Sequence, residues 1–198
     1  MKRPARATKP APRRRNAAAT RAAILASARR IFAHAGYDGA GVREIARGAG
    51  VTAMLVNRYF GSKEALFAEV VADTMANPVI LVDPVLRSAS PGRAIAEALV
   101  ELTRKDATPL DGFRVMLCSA ASARAAEIAR GEIEKQHQKT MTGALRGKLA
   151  AERAALVLSL VAGVQVMRQV IGLSALADAE PRDLAKLLAP LFEKLVDS

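Results

Sequence analysis

The sequence contains a single cysteine, Cys118, among its 198 residues. One thiol excludes a disulfide within the chain, and no CxxC pair or His/Cys cluster has the spacing of a metal site. We therefore expect neither a structural metal nor a cofactor. The scarcity of cysteine also fits a protein that works in a reducing cytoplasm.

Groups arranged for catalysis are lacking as well. Cys118 and His137 are a nucleophile and a base, but no third group, glycine elbow or oxyanion-hole motif accompanies them. The sequence shows no paired-carboxylate, metal or triad constellation. We expect a protein that is not an enzyme, and we keep a helical enzyme acting on a hydrophobic small molecule as an alternative of another class.

Aromatic residues make up only 4% of the chain, although 51% of it is apolar. Alanine and leucine are abundant, and both favour helices over strands. A chain of this length can bury a real core in one large or two small domains. We expect an all-α protein.

The first 37 residues contain no acidic side chain. Residues 1–15 hold seven cations and three prolines and cannot bury apolar area, so we expect a disordered basic tail. A basic start also resembles a signal peptide, but the apolar stretch of roughly 7 to 15 residues that such a peptide needs is missing before Arg21. An organelle transit peptide is a further alternative, but residues 24–36 are needed as a helix of the domain described next. We expect a cytoplasmic protein.

The net charge of +11 is concentrated near the N-terminus. Residues 1–15 carry +7 and residues 16–66 carry +4, while residues 67–198 hold sixteen basic and sixteen acidic side chains. Contacts between these cations and the phosphates of a nucleic acid would release counterions and supply non-specific affinity. The electrically neutral remainder is expected to have a different role.

Residues 41–66 read GVREIARGAGVTAMLVNRYFGSKEAL and predict two short helices around a tight glycine turn. Apolar residues recur at helical spacing up to Ala49, and Gly50 can take the positive φ that ends a helix. Thr52 then offers a hydroxyl as the N-cap of a second helix. This arrangement is typical of a helix-turn-helix whose second helix enters a major groove.

The second helix of this motif has two different faces when it is plotted at about 100° per residue. The exposed arc consists of Ala53, Met54, Asn57 and Arg58, and the apolar arc consists of Leu55, Val56, Tyr59 and Phe60. The apolar arc can pack on preceding helices. Asn57 can bond adenine, Arg58 can bond guanine or phosphate, and the two small or flexible apolar groups can touch thymine methyl groups.

The run I-A-x-x-A-G-V-T-x-x-x-V-N-R-Y-F-G-S-K-E-A-L resembles the DNA-binding domain of the TetR family of bacterial transcriptional repressors. The family pattern continues upstream into TRAAILASARRIFAHAG, residues 20–36, and the match is close over about a quarter of the chain. The resemblance implies an N-terminal three-helix helix-turn-helix domain and a C-terminal helical domain for ligand binding and dimerisation. We accordingly expect the DNA-binding domain at 16–66 and the effector and dimer domain at 67–198.

The resemblance also implies further DNA contacts. Arg43 matches a position that contacts base or phosphate, and Thr52, Tyr59 and Lys63 match positions that hold the sugar-phosphate backbone. The candidate DNA contacts are thus Arg43, Thr52, Ala53, Met54, Asn57, Arg58, Tyr59 and Lys63. The sequence departs from the family at Gly41, where a Ser or Thr commonly caps the second helix, and this puts the phosphate contact of such a hydroxyl in doubt.

The C-terminal part contains a predicted helix, from about residue 151 to 175, that is apolar on every side. A membrane span is an alternative, but Arg153 and Arg168 bracket only about fourteen residues, fewer than the roughly 20 a bilayer requires. We expect a buried helix, with one face in the core and the other against a second subunit. The resemblance implies that the last two helices pair with their copies in a four-helix dimer interface.

Polar or adaptable side chains on these helices are candidates for an effector cavity. They are Arg114, Met116, Cys118, Met141, Gln165, Arg168 and Gln169. The expected function is that of a homodimeric, ligand-responsive repressor, which binds a palindromic operator in double-stranded DNA and is released by a small hydrophobic effector. We expect no membrane partner. A non-specific nucleoid-associated DNA-binding protein is the alternative, and a ratio of specific to random-DNA affinity near one would favour it.

Overall fold

The computed structural model describes residues 12–75, 80, 82–104 and 111–196. Within these ranges the chain forms α-helices and no β-strand, which confirms the all-α expectation. The first four helices are α1 (Pro12–Gly39), α2 (Val42–Gly48), α3 (Ala53–Phe60) and α4 (Lys63–Met75). The others are α5 (Asp83–Leu86), α6 (Pro91–Leu102), α7 (Asp111–Ser119), α8 (Ala123–Ile133), α9 (Lys139–Ala144), α10 (Ala150–Gln165), α11 (Ser174–Ala177) and α12 (Pro181–Val196). Five-residue π-helical turns join α8 to α9 (Glu134–Gln138) and extend α10 (Val166–Val170).

Helix α1 begins at Pro12, inside the segment that we predicted to be a disordered tail, so residues 12–15 are helical. Residues 1–11 of that predicted tail lie outside the described residues. Gly36 has φ +66° and kinks the helix before its last residues. Ile24, Ala28 and Phe32 form the buried stripe of α1.

A first hydrophobic core joins α1–α4 to α7 and α8. Phe32 and Phe67 meet edge-to-face with ring centroids 5.1 Å apart, and Tyr37 packs on Phe67 at 5.0 Å. Such aromatic pairs add to the free energy gained by burial alone. On the surface, ion pairs of Arg21 with Glu69 and of Arg29 with Asp73 link α1 to α4. The helix-turn-helix and the start of the C-terminal part therefore share one core.

A second core lies between α6, α9, α10 and α12. The α10 segment consists of α10 and its π-helical extension, Ala150–Val170. Two of its arginines are buried beside the second core and donate to backbone carbonyl groups. Arg168 donates to Val100 O and Thr103 Oγ1, each at 2.7 Å, and to Leu176 O at 3.0 Å. Arg153 donates to Leu195 O and Lys148 O, both at 3.1 Å. These guanidinium groups cap helix C-termini, where carbonyl groups lack partners.

Within one chain the α10 segment is buried on one side only, and the contact with a second subunit that we expect on its other side stays a prediction. Val157 is fully buried, but Leu156 is exposed and Ile171 exposes 65% of its surface. By length and composition alone, Ala150–Val170 would be long and apolar enough to cross a membrane. Helix α9 ends at Ala144, and residues 145–149 between it and α10 are not helical.

Gly36→Ala is expected to lower the free energy of unfolding by roughly 3 kcal/mol, because an added Cβ meets both backbone strain and a steric clash. The new Cβ would lie 2.4 Å from the carbonyl oxygen of Cys118. Gly50→Ala is the matched control, since Gly50 has φ +67° but nothing within 4 Å of its Cβ position. Urea denaturation measures both. Equal losses in the two variants would contradict the close contact of α1 with α7.

Candidate DNA-binding surface and effector cavity

Helix α3 has the two faces that the sequence predicts. Val56 and Phe60 are buried in the first core, whereas Asn57 and Arg58 are exposed and Met54 exposes 77% of its surface. Ala53, predicted on the exposed arc, is half-buried against the core. The exposed face therefore presents an amide, a guanidinium and a thioether side by side on one short helix.

The ends of the helices are fixed by local hydrogen bonds. Thr52 Oγ1 accepts from Leu55 N at 3.3 Å and Ser62 Oγ accepts from Ala65 N at 3.1 Å, so both hydroxyls act as N-caps. Gly50, with φ +67°, forms the turn between α2 and α3. Gly41 precedes α2 with an extended backbone and no side-chain cap.

The remaining predicted DNA contacts lie around this motif. Arg43 is exposed in the first turn of α2, and Thr52 is exposed beside α3. Tyr59 and Lys63 are half-buried. Lys63 Nζ lies 4.6 Å from the centroid of the Tyr37 ring, close enough for a cation-π contact. Arg47, at the end of α2, is a further exposed cation beside these residues and was not among the predicted contacts.

Tyr37 and Glu64 form a polar pair at the edge of the first core. Burial, followed by the charge of Glu64, raises the pKa of the Tyr37 phenol. The backbone amide of Glu64 and the hydroxyl groups of Ser62 and Tyr37 lower the pKa of the Glu64 carboxyl. The phenol therefore stays protonated and donates to a carboxylate, which fixes Tyr37 under Lys63.

A cavity of about 330 Å³ lies between α4, α7, α8 and the π-helical turn. Its apolar wall consists of Phe67, Met116, Ala120, Ala125, Ala126, Ala129 and Ile133, and its polar lining consists of Ser119, Arg130, Glu134 and Gln138. Phe67, Ser119 and Ala125 are buried and form the floor, whereas Arg130 and Glu134 are exposed at the rim. Such a site suits a small apolar molecule.

Of the seven predicted cavity residues, the structure brings only Met116 to this site. Arg114 and Cys118 are exposed, and Met141 is fully buried in the second core. Gln165 and Gln169 are half-buried elsewhere, and Arg168 caps α6. The lining residues that sequence reasoning missed carried one signal: Ala125, Ala126 and Ala129 form a small-residue face on α8.

A second concavity, of about 580 Å³, lies between α6 and α12. Charged side chains dominate it, among them Arg93, Glu97, Arg182 and Lys186, all of them exposed. Its buried apolar lining consists of Val100 and Ala185, and no aromatic side chain such as Phe67 is among the described residues that line it. The first cavity is therefore the better site for a hydrophobic ligand.

The cavity touches the DNA-binding part through the corner between α7 and α8. Ser122 Oγ, which caps α8, donates to Asp38 Oδ1 at 3.1 Å. The carbonyl group of Cys118 packs on Gly36, and Cys118 Sγ donates to Ala33 O at 3.4 Å. The end of α1 is thus held by the same corner that forms one wall of the cavity.

The geometry defines a helix-turn-helix protein with an adjoining helical C-terminal domain, and comparison with known families agrees. Residues 24–70 match the family model of bacterial regulatory proteins of the TetR family. Residues 90–196 match that of the tetracyclin repressor-like C-terminal domain. Because the second model alone covers more than half of the sequence, the chain belongs to the TetR family. Its family is one of bacterial transcriptional regulators rather than enzymes.

Solved structures show the same fold at low sequence identity. A TetR-family regulator from Streptomyces coelicolor A3 is 23% identical with a TM-score of 0.62, and the alignment covers 95% of this chain and 100% of that one. AibR, solved with isovaleryl coenzyme A and operator DNA, is 19% identical with a TM-score of 0.60 over 87% and 97% of the two chains. The multidrug binding protein EbrR, complexed with malachite green, is 16% identical with a TM-score of 0.65 over 89% and 97%. No curated protein gives a significant match.

Proposed function

We propose that this chain is a homodimeric repressor that binds a palindromic operator and releases it when a small, largely apolar effector fills the cavity between α4, α7 and α8. The observation that carries the proposal is the double role of Phe67. Its ring packs on Phe32 and Tyr37 in the core of the DNA-binding part and also lines the cavity. A ligand in the cavity would therefore press directly on that core.

In this proposal α3 is the recognition helix. Asn57 and Arg58 reach base edges, and Met54 and Ala53 contact thymine methyl groups. Arg43, Thr52, Tyr59 and Lys63 hold phosphate and sugar groups, which fix the register on the duplex without reading the sequence. The excess positive charge of the first 66 residues adds non-specific, salt-dependent affinity.

The dimer interface in this proposal is the exposed apolar face of the α10 segment and α12. Leu187 exposes 70% of its surface, and Leu156 and Leu191 are also exposed. Large apolar groups that cluster on two neighbouring helices mark a protein-protein contact. A two-fold dimer would place two α3 helices at half-sites roughly 34 to 36 Å apart, as a palindromic operator requires.

The neighbours in structure support the two ligands of the proposal. AibR was solved with operator DNA and EbrR with malachite green. For this chain, effector and operator would have to prefer different arrangements of the α7–α8 corner against α1, with a coupling of about 1 to 3 kcal/mol.

We place the protein in the cytoplasm and away from the membrane, although the α10 segment is apolar enough to span one. Arg153 and Arg168 lie near the two ends of this segment. Arg153 donates to a carbonyl group of α12, and Arg168 donates to carbonyl groups of α6 and α11. Those bonds hold the segment inside a helical protein rather than in lipid, where buried guanidinium groups are expensive.

Asn57→Ala and Arg58→Ala are each expected to weaken operator binding by about 1 to 3 kcal/mol while changing affinity for random DNA much less, because contacts to base edges carry discrimination. The operator is first obtained by selecting random duplexes on the purified protein. The charge-matched control is Arg182→Ala, which removes one exposed arginine from α12, outside the helix-turn-helix.

Titrations at fixed salt measure these affinities. Equal weakening on operator and random DNA would make the residue a backbone contact. A wild-type ratio near one would instead favour a non-specific nucleoid protein.

Leu187→Glu is expected to convert the dimer to folded monomers. An unpaired carboxylate buried in the interface would weaken the free energy of dimerisation by several kcal/mol. Leu117→Glu is the control, since Leu117 is an exposed leucine (39%) on α7, away from the proposed interface. Sedimentation equilibrium gives the mass of each variant, and circular dichroism shows that both remain helical. A wild type that is monomeric at micromolar concentration would refute the dimer.

A further inference from the structure

Ser119, the last residue of α7, has a hydroxyl group that the rest of the described structure leaves unused. The residue is 3% exposed, and its Oγ is buried without a hydrogen-bond partner among the residues that the structure describes. A buried hydroxyl that makes no hydrogen bond destabilises the folded state. Because nearly all buried polar groups of native proteins are paired, an unpaired one calls for an explanation.

Other hydroxyl groups on helices of this chain behave differently. Thr103 Oγ1 donates to Leu99 O at 2.7 Å, Thr140 Oγ1 to Gln136 O and Ser159 Oγ to Ala155 O, both at 2.8 Å. This return to the carbonyl group one turn earlier is the usual choice of a helical Ser or Thr. Ser119 makes no such bond, and the residue lines the cavity, so a rotation of its side chain would present the hydroxyl to a molecule bound there.

The surroundings of Ser119 restrict what that molecule is. The buried neighbours in the cavity floor are Phe67 and Ala125, and Met116 adds a half-buried apolar side chain. The charged lining residues, Arg130 and Glu134, are exposed at the rim. An ionised group at the floor would have no countercharge beside it and would lose its hydration without compensation.

We infer that Ser119 determines the specificity of the effector cavity, and that the effector is a neutral, largely apolar compound with one hydrogen-bonding group, such as a phenol, alcohol or ketone, at its buried end. The inference rests on the proposed function, because it assigns a chemical class to the same cavity. It also places the ligand next to the DNA-binding part. Ser119 directly follows Cys118, whose carbonyl group packs on Gly36, and lies three residues before Ser122, which bonds Asp38.

The test compares 2-naphthol with naphthalene at pH 7, two probes of nearly equal size that differ in one hydroxyl group. The chain has no tryptophan, so the fluorescence of either probe is read against a low background. The full-length wild type should bind 2-naphthol about tenfold more tightly than naphthalene, since only the phenol satisfies Ser119. Ser119→Ala should abolish this preference and leave naphthalene binding within twofold.

Two further variants separate the outcomes. Ser159→Ala, which removes an exposed hydroxyl outside the cavity, should bind both probes as the wild type does. Ala129→Phe, which fills the cavity, should bind neither probe. The thermal unfolding midpoint of Ser119→Ala should equal or exceed that of the wild type, because the lost hydroxyl had no partner. Such a midpoint excludes misfolding as the cause of weaker binding of 2-naphthol.

The remaining outcomes overturn the inference in distinguishable ways. If Ala129→Phe blocks both probes but Ser119→Ala keeps the phenol preference, the cavity is a ligand site and Ser119 does not set its specificity. If the wild type binds neither probe, or binds them equally, the assigned chemical class is wrong. The proposed repressor function fails separately, when operator selection and sedimentation show neither sequence preference nor a dimer.

Discussion

The close contact between Gly36 in α1 and the carbonyl group of Cys118 in α7 determines how the DNA-binding part packs against the helices that follow it. Only a hydrogen atom fits there, since a Cβ would lie 2.4 Å from the carbonyl oxygen. The contact brings the end of α1 against the corner between α7 and α8, where Asp38 accepts from Ser122. A DNA-binding part joined only through α4 would move independently of the ligand domain. Here it has a second attachment at the wall of the cavity.

This double attachment gives the cavity a short route to α3. In the proposed mechanism, Phe67 would transmit a change in the cavity to Phe32 and Tyr37, with which it is in contact, and the α7–α8 corner would transmit it to the kink of α1. Well-packed interiors respond to added volume by discrete shifts rather than by gradual deformation. A ligand that moves α7 or α8 would therefore reposition α1 and α4 together, because Arg21 and Arg29 of α1 pair with Glu69 and Asp73 of α4.

The sequence predicts the DNA-binding part well because interactions between neighbouring residues determine its structure. Caps at Thr52 and Ser62, the positive φ of Gly50 and the two faces of α3 each follow from a few adjacent residues. The cavity is different, because it exists only where small residues of α8 face Phe67, more than fifty residues away in sequence. Polar side chains such as Arg168 suggested a ligand site, but helix ends recruit that guanidinium as a cap. Whether a buried arginine faces a ligand or a carbonyl group depends on tertiary packing.

The α10 segment shows that one chain need not bury a helix that is apolar on every side. Its apolar residues surround the helix, yet the fold of a single chain covers only the side with Ala154 and Val157 and leaves Leu156, Met167 and Ile171 exposed. The same holds for α12, where Leu184 and Leu188 are buried and Leu187 and Leu191 are not. The buried and exposed leucines alternate along α12 at helical spacing, so the uncovered side is a continuous face rather than scattered residues. A continuous apolar face on two neighbouring helices is covered most economically by its own two-fold copy, since each half then supplies the complementary surface for the other.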